Sequence, residues 1–276
     1  MAHPRIVSCL VNAHGAQLYC ETAGKGKPLV MIHAGVADSR QWNNEFRYFA
    51  RNHRVVRYDM RGYGKSEPAE GDFNHMLDLV AVLDALEIRE PMVMMGCSMG
   101  GGLAIDFALE HASRVRALIT VGTGPTGLDL DIPESPKHAL AEKAWKAGDV
   151  DLTAELETQI WFDGDGRTPE QVDPEMRKLA LEMDRQALRH EIKGLGKRQP
   201  NTERPAFDRL SALRIPVLVI VGAQDQPFAH ASADYMLRHI PSARMVVIED
   251  AAHLPNMDHP EEFRAVVEDF LANLPS

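Results

Sequence analysis

The stretch Met92 to Gly102, reading MVMMGCSMGGG, constrains this chain more than any other. An apolar run, Pro91 to Met95, leads directly into Gly96-Cys97-Ser98-Met99-Gly100, and a helical pattern from Leu103 to Leu109 follows. Passing from strand to helix in so few residues demands a very tight turn, and it holds Ser98 at the tip in an uncommon backbone conformation. Bulk at Gly96 or Gly100 would strike neighbouring backbone, so the glycines let the hydroxyl stand clear above a sheet. Taken alone, the string also fits a glycine-rich turn beside a buried helix. Strand, helix and two distant partners must decide between the two.

The flanking chain repeats one unit of strand, loop and helix. Ile6 to Val11 and Gln17 to Thr22 are short extended runs joined at Asn12 to Gly15, a hairpin signal. Pro28 to Ile32 is almost wholly apolar, as in strands covered on both faces. His33-Ala34-Gly35-Val36 and a helical pattern with Trp42, Phe46 and Phe49 come next. Arg54 to Tyr58 is a further strand, and Met76 to Leu86 carries Leu79, Val80, Leu83 and Leu86 on one helical face. Val115 to Val121, Ile215 to Val221 and Met245 to Ile248 supply more strands, with helices near Ala231 to Ile240 and Pro260 to Leu271. The expected fold is α/β, with a mostly parallel sheet of about eight strands and helices on both faces.

Between Gly122 and Arg214 the rhythm breaks. Helical stretches at about Lys137 to Lys146, Leu152 to Trp161 and Pro174 to Leu188 occur there without a convincing strand. The expectation is a helical cap over residues 123–210, inserted into a core built from 1–122 and 211–276. Trp145, Leu156, Trp161 and Phe162 are its pocket candidates, although aromatic residues on short amphipathic helices equally serve to glue them to a sheet. Arg185, Arg189 and His190 fit either carboxylate recognition or a solvated helix face.

The insertion leaves the chemistry-bearing residues in a telling order. Downstream of Ser98, one strand ends in Gly222-Ala223-Gln224-Asp225 and the last ends in Glu249-Asp250-Ala251-Ala252-His253. A nucleophile, an acid and a histidine then sit in loops after three strands, at the carboxyl edge where open α/β sheets bind ligands. Asp225 could instead cap the helix that follows it. Asp250 is the rival acid, but it lies only three residues before His253. The order Ser98, Asp225, His253 is the one that serine acyl-transfer chemistry uses on such a sheet. In that chemistry the histidine takes the serine proton, the aspartate orients the imidazole, and backbone N–H groups hold the oxyanion. Met99 N–H and Val36 N–H are the expected donors, with His33 a structural side chain beneath its loop.

Composition excludes other classes. With 40 acidic against 30 basic residues the formal charge is -10, which argues against a nucleic-acid surface. No stretch of 18 apolar residues and no leader pattern occurs, so the expectation is a cytoplasmic protein without a membrane partner. The three cysteines, Cys9, Cys20 and Cys97, have no metal-ligand spacing, and no metal or other cofactor is expected. Gly64-Lys65-Ser66 lacks the full phosphate-loop pattern because position 59 is Asp.

Several motifs together carry a resemblance: HAG with Trp42 shortly after, DMRGYGKS, GCSMGG, VGAQD and AHLPNMDHPEEF. The chain resembles the α/β-hydrolase superfamily from near its first strand to its C-terminus. Within it the similarity is to 3-oxoadipate enol-lactonase-like hydrolases, meta-cleavage-product hydrolases, and cofactor-free esterases and haloperoxidases. The resemblance implies a serine hydrolase of a small ester or lactone, and a loop-bracing role for Asp59 and Arg61. Ser98 sets the chain apart from members that dehalogenate alkanes or open epoxides with an aspartate nucleophile. Hydrolysis of a carbon-carbon bond in a diketone would use an identical triad, and a non-catalytic ligand-binding module is the alternative from another class. The expected partner is the substrate itself, with a homodimer left open.

Overall fold

A computed structural model describes residues 4–67 and 71–275. In chain order the first elements are strands β1 (Val7–Ala13), β2 (Ala16–Ala23) and β3 (Pro28–Ile32), helix α1 (Asn43–Phe49), strands β4 (Arg54–Tyr58) and β5 (Gly71–Phe73), and helix α2 (His75–Ala85). Then come β6 (Met92–Cys97), α3 (Met99–Glu110) and β7 (Val115–Val121). After β7 the chain runs through α4 (Pro136–Lys146), α5 (Val150–Thr158), α6 (Pro174–Glu191) and the short strand β8 (Gly196–Arg198). Strand β9 (Val217–Gly222), α7 (Pro227–His239), β10 (Ala243–Ile248), α8 (Pro255–Asp258) and α9 (Pro260–Ala272) complete it.

The main sheet has eight strands in the order β1-β2-β4-β3-β6-β7-β9-β10. Antiparallel pairing is confined to β1 with β2 and β2 with β4, and every other neighbour is parallel. Strands β3, β6 and β9 are buried at every residue because helices cover both faces. Alternation along β6 shows this: Met92 and Met94 join the core beneath α2, α3 and α7, while Val93, Met95 and Cys97 join the core beneath α1 and α9.

Sheet order also decides where a ligand fits. From β3 the chain moves outward to β4, whereas from β6 it moves the opposite way to β7. The loops after β3 and β6 therefore diverge and leave a crevice at their carboxyl ends. Ser98 follows β6 and Val36 follows β3, so both border that crevice.

The segment between β7 and β9 is helical, and its helices start where the sequence supplies caps. Ser135, Asp149 and Asp173 each accept a backbone N–H in the first turn, and Pro136 and Pro174 occupy first helical positions. A π-helical turn over Gln159–Asp163 extends α5. Phe162, Ala180 and Met183 carry this segment into the core beneath α1 and α9. One expectation needs correcting. Strand β8 lies within the stretch read as strand-free and pairs in parallel with β5, forming a separate two-stranded sheet. Both are three residues long and largely exposed, so no hydrophobic alternation announces them. Among the described residues, no helix is long and apolar enough to cross a membrane.

Candidate active site

Ser98 sits between β6 and α3 with φ 49° and ψ -117°, a left-handed conformation that costs a non-glycine residue energy. The surrounding glycines are what permit it. A Cβ on Gly96 would lie 2.3 Å from Gly100 O, and one on Gly100 would lie 2.4 Å from His33 O. The first turn of α3 is thus pressed against the loop after β3. Behind it, the Ser98 carbonyl accepts from Thr123 Oγ1 at 2.7 Å, and Cys97 turns into the core, where burial pushes its thiol up to about 12.

The structure brings Asp225 and His253 together beside Ser98. His253 Nδ1 lies 2.8 and 2.9 Å from the two Asp225 carboxylate oxygens, and both side chains are almost wholly buried. Asp225 also accepts from Gln226 N–H at 2.7 Å, which fixes the carboxylate. With Nδ1 committed to Asp225, Nε2 is the ring nitrogen without a hydrogen-bond partner among the described residues. Ser98 and His253 line one cavity of about 380 Å³, together with Met99, Thr123, Trp161, Arg198 and Phe228 among others. Asp250 lies elsewhere: it is exposed at φ 58°, and its carbonyl accepts from Arg167 Nη1.

Of the two expected oxyanion donors, Met99 lines this cavity, whereas Val36 lies in the loop after β3 that packs against the Met99 side chain. Met99 N–H is the first of α3, where no preceding turn supplies an acceptor. Val36 N–H lies in the turn closed by Ala37 N–H to Ala34 O at 3.2 Å, and no acceptor takes it among the described residues. Gly35 brings that turn against the Met99 side chain, since a Cβ there would meet it at 3.7 Å. His33 is a structural support. Its Nε2 accepts from Met60 N–H at 2.9 Å, so Nδ1 carries the proton and donates to Ala34 O at 2.7 Å, while burial lowers its pKa and keeps the ring neutral.

A pairing of Gln41 with Asn256 escaped the sequence reading. Ala34 N–H donates to Gln41 Oε1 at 2.9 Å, Gln41 Nε2 donates to Asn256 Oδ1 at 3.2 Å, and Asn256 Nδ2 returns to Gln41 O at 2.8 Å. This ties the Val36 turn to the helix just after His253. Asp59 accepts from Ser39 N–H and Lys65 N–H, each at 2.8 Å, and Arg61 holds Asp78 through two bonds of 2.6 and 2.9 Å. Both brace the loops around the site.

The pocket candidates divide. Trp161 lines the Ser98 cavity, its ring 4.6 Å from that of His253, and its carbonyl accepts from His253 N–H at 3.1 Å. Phe162, the next residue on the π-helical turn, points the other way into the core and lines no part of that cavity. Trp145 and Trp161 share a separate cleft with His138 and Glu157, and Trp145 does not reach Ser98's cavity. Leu156 is half-buried away from it. Arg185 and Arg189 pair with Asp151 at 2.8 and 3.5 Å, outside the cavity. His190 instead binds Gly62 O at 2.8 Å and lines a second cavity. The arginine that does face Ser98's cavity is Arg198 on β8, which no periodic pattern could have singled out.

Comparisons with known proteins identify the fold family. A family model described as alpha/beta hydrolase fold matches residues 27–260. The pimeloyl-[acyl-carrier protein] methyl ester esterase of Aeromonas hydrophila is 29% identical over 253 residues, covering 91% of this chain and 98% of that protein. A 2-hydroxy-6-oxononadienedioate/2-hydroxy-6-oxononatrienedioate hydrolase of Cupriavidus pinatubonensis is 26% identical, covering 93% of this chain and 91% of that protein. Among solved structures, Est816, described as an N-acyl homoserine lactone degrading enzyme, superimposes with a TM-score of 0.75 at 27% identity, covering 95% of this chain and 100% of that one. A match spanning most of the chain, over a parallel sheet that carries Ser98 in a strained turn at its carboxyl edge, makes this protein a hydrolase of the α/β-hydrolase fold family.

Proposed function

We propose that this protein hydrolyses a small carboxylic ester or lactone through an acyl-enzyme on Ser98. The observation that carries the reading is the strained Ser98 sharing a cavity with His253, whose other nitrogen is held by buried Asp225. Ser98 Oγ attacks the carbonyl carbon as His253 Nε2 takes its proton. Asp225 fixes the tautomer and stabilises the imidazolium. The tetrahedral oxyanion is met by the Val36 and Met99 N–H groups, and the leaving alkoxide receives the proton from His253. Water, deprotonated by His253, then releases the acid and restores Ser98. Residues 123–210 act as a cap that shields this chemistry from bulk water, with Trp161 as its contribution to the pocket wall. The chemistry draws on side chains and backbone N–H groups of the protein and suits a cytoplasmic enzyme.

A second reading has one observation in its favour. Hydrolysis of a carbon-carbon bond in a diketone-like ring-cleavage product uses the same three residues but needs an acidic tail to be oriented, and Arg198 faces the cavity. Short p-nitrophenyl esters, small lactones and a ring-cleavage diketone, assayed with wild type and Ser98→Ala, separate the possibilities. Ester or lactone turnover falling about 10⁴-fold or more in Ser98→Ala is expected. Diketone turnover as the main serine-dependent activity transfers the assignment to carbon-carbon hydrolysis. Absence of any serine-dependent turnover would leave a ligand-binding module.

A further inference from the structure

Glu45 on α1 is wholly buried, and the residues that share its helix face, Trp42, Phe46 and Phe49, belong to the apolar core beneath α1 and α9. A carboxyl group in such a place is costly, because water solvates it far better. Burial pushes its pKa up to about 7, against the opposing pull of a bond from Asn256 and of the Arg264 and Arg57 charges. Its Oε1 has no hydrogen-bond partner among the described residues, and its Oε2 accepts from Asn256 Nδ2 at 3.1 Å. An apolar side chain of similar size would suit the core at least as well. Stability therefore gives no reason for a carboxyl group here.

The bond to Asn256 leads toward the reaction site. Asn256 Nδ2 carries two hydrogens, of which one goes to Gln41 O at 2.8 Å and the other to Glu45 Oε2. Two acceptors together fix the plane of this amide, whereas one alone leaves it free to swing. Asn256 Oδ1 is thereby turned to Gln41 Nε2, at 3.2 Å. With Nε2 so engaged, Gln41 presents Oε1 to Ala34 N–H at 2.9 Å. Each amide shows an oxygen on one side and hydrogens on the other, so a direction set at Glu45 reaches Ala34 with an acceptor facing its N–H. Ala34 opens the turn that carries Val36 N–H, closed by Ala37 N–H to Ala34 O at 3.2 Å.

We infer that Glu45 is a positioning residue for catalysis: by fixing Asn256 and, through it, Gln41, it holds the Ala34–Ala37 turn where Val36 N–H meets the oxyanion. The inference rests on the hydrolase reading above and adds to it a residue that touches no reacting atom. Oxyanion donors act by standing in place before charge develops, so a loosened turn lowers kcat more than it raises KM.

The test compares Glu45→Met, which keeps the length but removes the acceptor, with Glu45→Gln, whose carbonyl can still accept from Asn256. At about pH 8, Glu45→Met is expected to melt no lower than wild type, because an apolar chain has replaced a buried carboxylate. It should nevertheless lose about 10-fold in kcat on whichever ester or lactone the wild type turns over, with KM little changed. Glu45→Gln recovers most of that loss. A role in packing alone would make kcat follow the melting temperature. Unaltered kcat in Glu45→Met, an equal loss in Glu45→Gln, or a kcat that falls only in step with the melting temperature would overturn the inference. Amide exchange at Ala34, read by NMR, separates this result from the hydrolase reading. Faster exchange in Glu45→Met than in wild type and Glu45→Gln supports the relay even if no ester is hydrolysed. Equal exchange in all three rejects the relay, and Ser98-dependent turnover in the same samples would leave the hydrolase reading standing.

Discussion

Gly122 follows β7 at φ 51°, directly beneath the Asp225–His253 pair. A Cβ there would lie 2.9 Å from both Asp225 Oδ2 and His253 Nδ1, so even a methyl group has no room. Alanine at this position adds about 1 kcal/mol of backbone strain to that clash. Gly122→Ala is expected to cut kcat on any ester by about 10²-fold or more while KM moves little, because displaced groups act on the proton and not on binding. A steady-state comparison checks it, and an unchanged kcat would mean the pair tolerates displacement. At this scale much of the site was legible: Ser98, Asp225 and His253 announce themselves through turn residues after apolar runs. Gln41 and Asn256 did not, since their pairing joins residues 215 apart and neither type is distinctive. Trp161 and Phe162 differ by one residue, and only the π-helical turn decides which faces the cavity. Periodicity has no access to that.

Helices α5 and α6 meet through a pair of carboxyl groups. Glu157 and Asp184 face each other across this contact, with Asp184 3% exposed and its Oδ2 without a hydrogen-bond partner among the described residues. Burial raises both pKa values, that of Glu157 to about 7 from 4.5, and Asp184 well above its ordinary value. Between 4.5 and about 7 the unfolded chain has released the Glu157 proton that the folded chain still holds. Stability from this group is therefore complete below 4.5 and is lost as pH rises through about 7. Melting temperature should fall between roughly pH 5 and pH 8, and Glu157→Gln, which keeps a hydrogen-bonding group without titrating, should flatten that slope. Equal slopes would assign the dependence to other groups, of which Glu45, also raised to about 7 by burial, is next. The helices of this segment were read closely from the sequence: α6 begins at Pro174 as expected and runs three residues beyond its expected end at Leu188. The β5–β8 pair was hidden because its strands, three residues each, owe their form to meeting each other rather than to any local preference.

At the scale of the whole molecule, Arg167 joins the helical segment to the loop that carries His253. Its guanidinium donates to Asp163 O at 2.7 Å, to Phe162 O at 2.9 Å and to Asp250 O. Gln226 Nε2 to Ile160 O at 3.3 Å and His253 N–H to Trp161 O add bonds between the same parts. Arg167→Ala strands three carbonyls and should cost about 3 kcal/mol, lowering the melting temperature by several degrees. If the two parts act as one unit, kcat should fall with it and tryptophan emission should shift as Trp161 gains water. Loss of stability with kcat unaltered would show that the His253 loop is held without this arginine.

The main sheet pairs β7 directly with β9, Leu118 opposite Val217, although everything from Gly122 to Pro216 lies between them in the chain. Only the two ends of that stretch enter the pairing, with Leu118 N–H donating to Pro216 O at 3.0 Å and Gly122 N–H to Ile220 O at 2.9 Å. Closing a longer excursion costs little, since each doubling of its length adds only about 0.6 kcal/mol. The fold therefore works like a fixed instrument with an exchangeable attachment. The attachment can be lengthened or rewritten away from its ties to Asp225 and His253 without moving the strands that carry Ser98, Asp225 and His253.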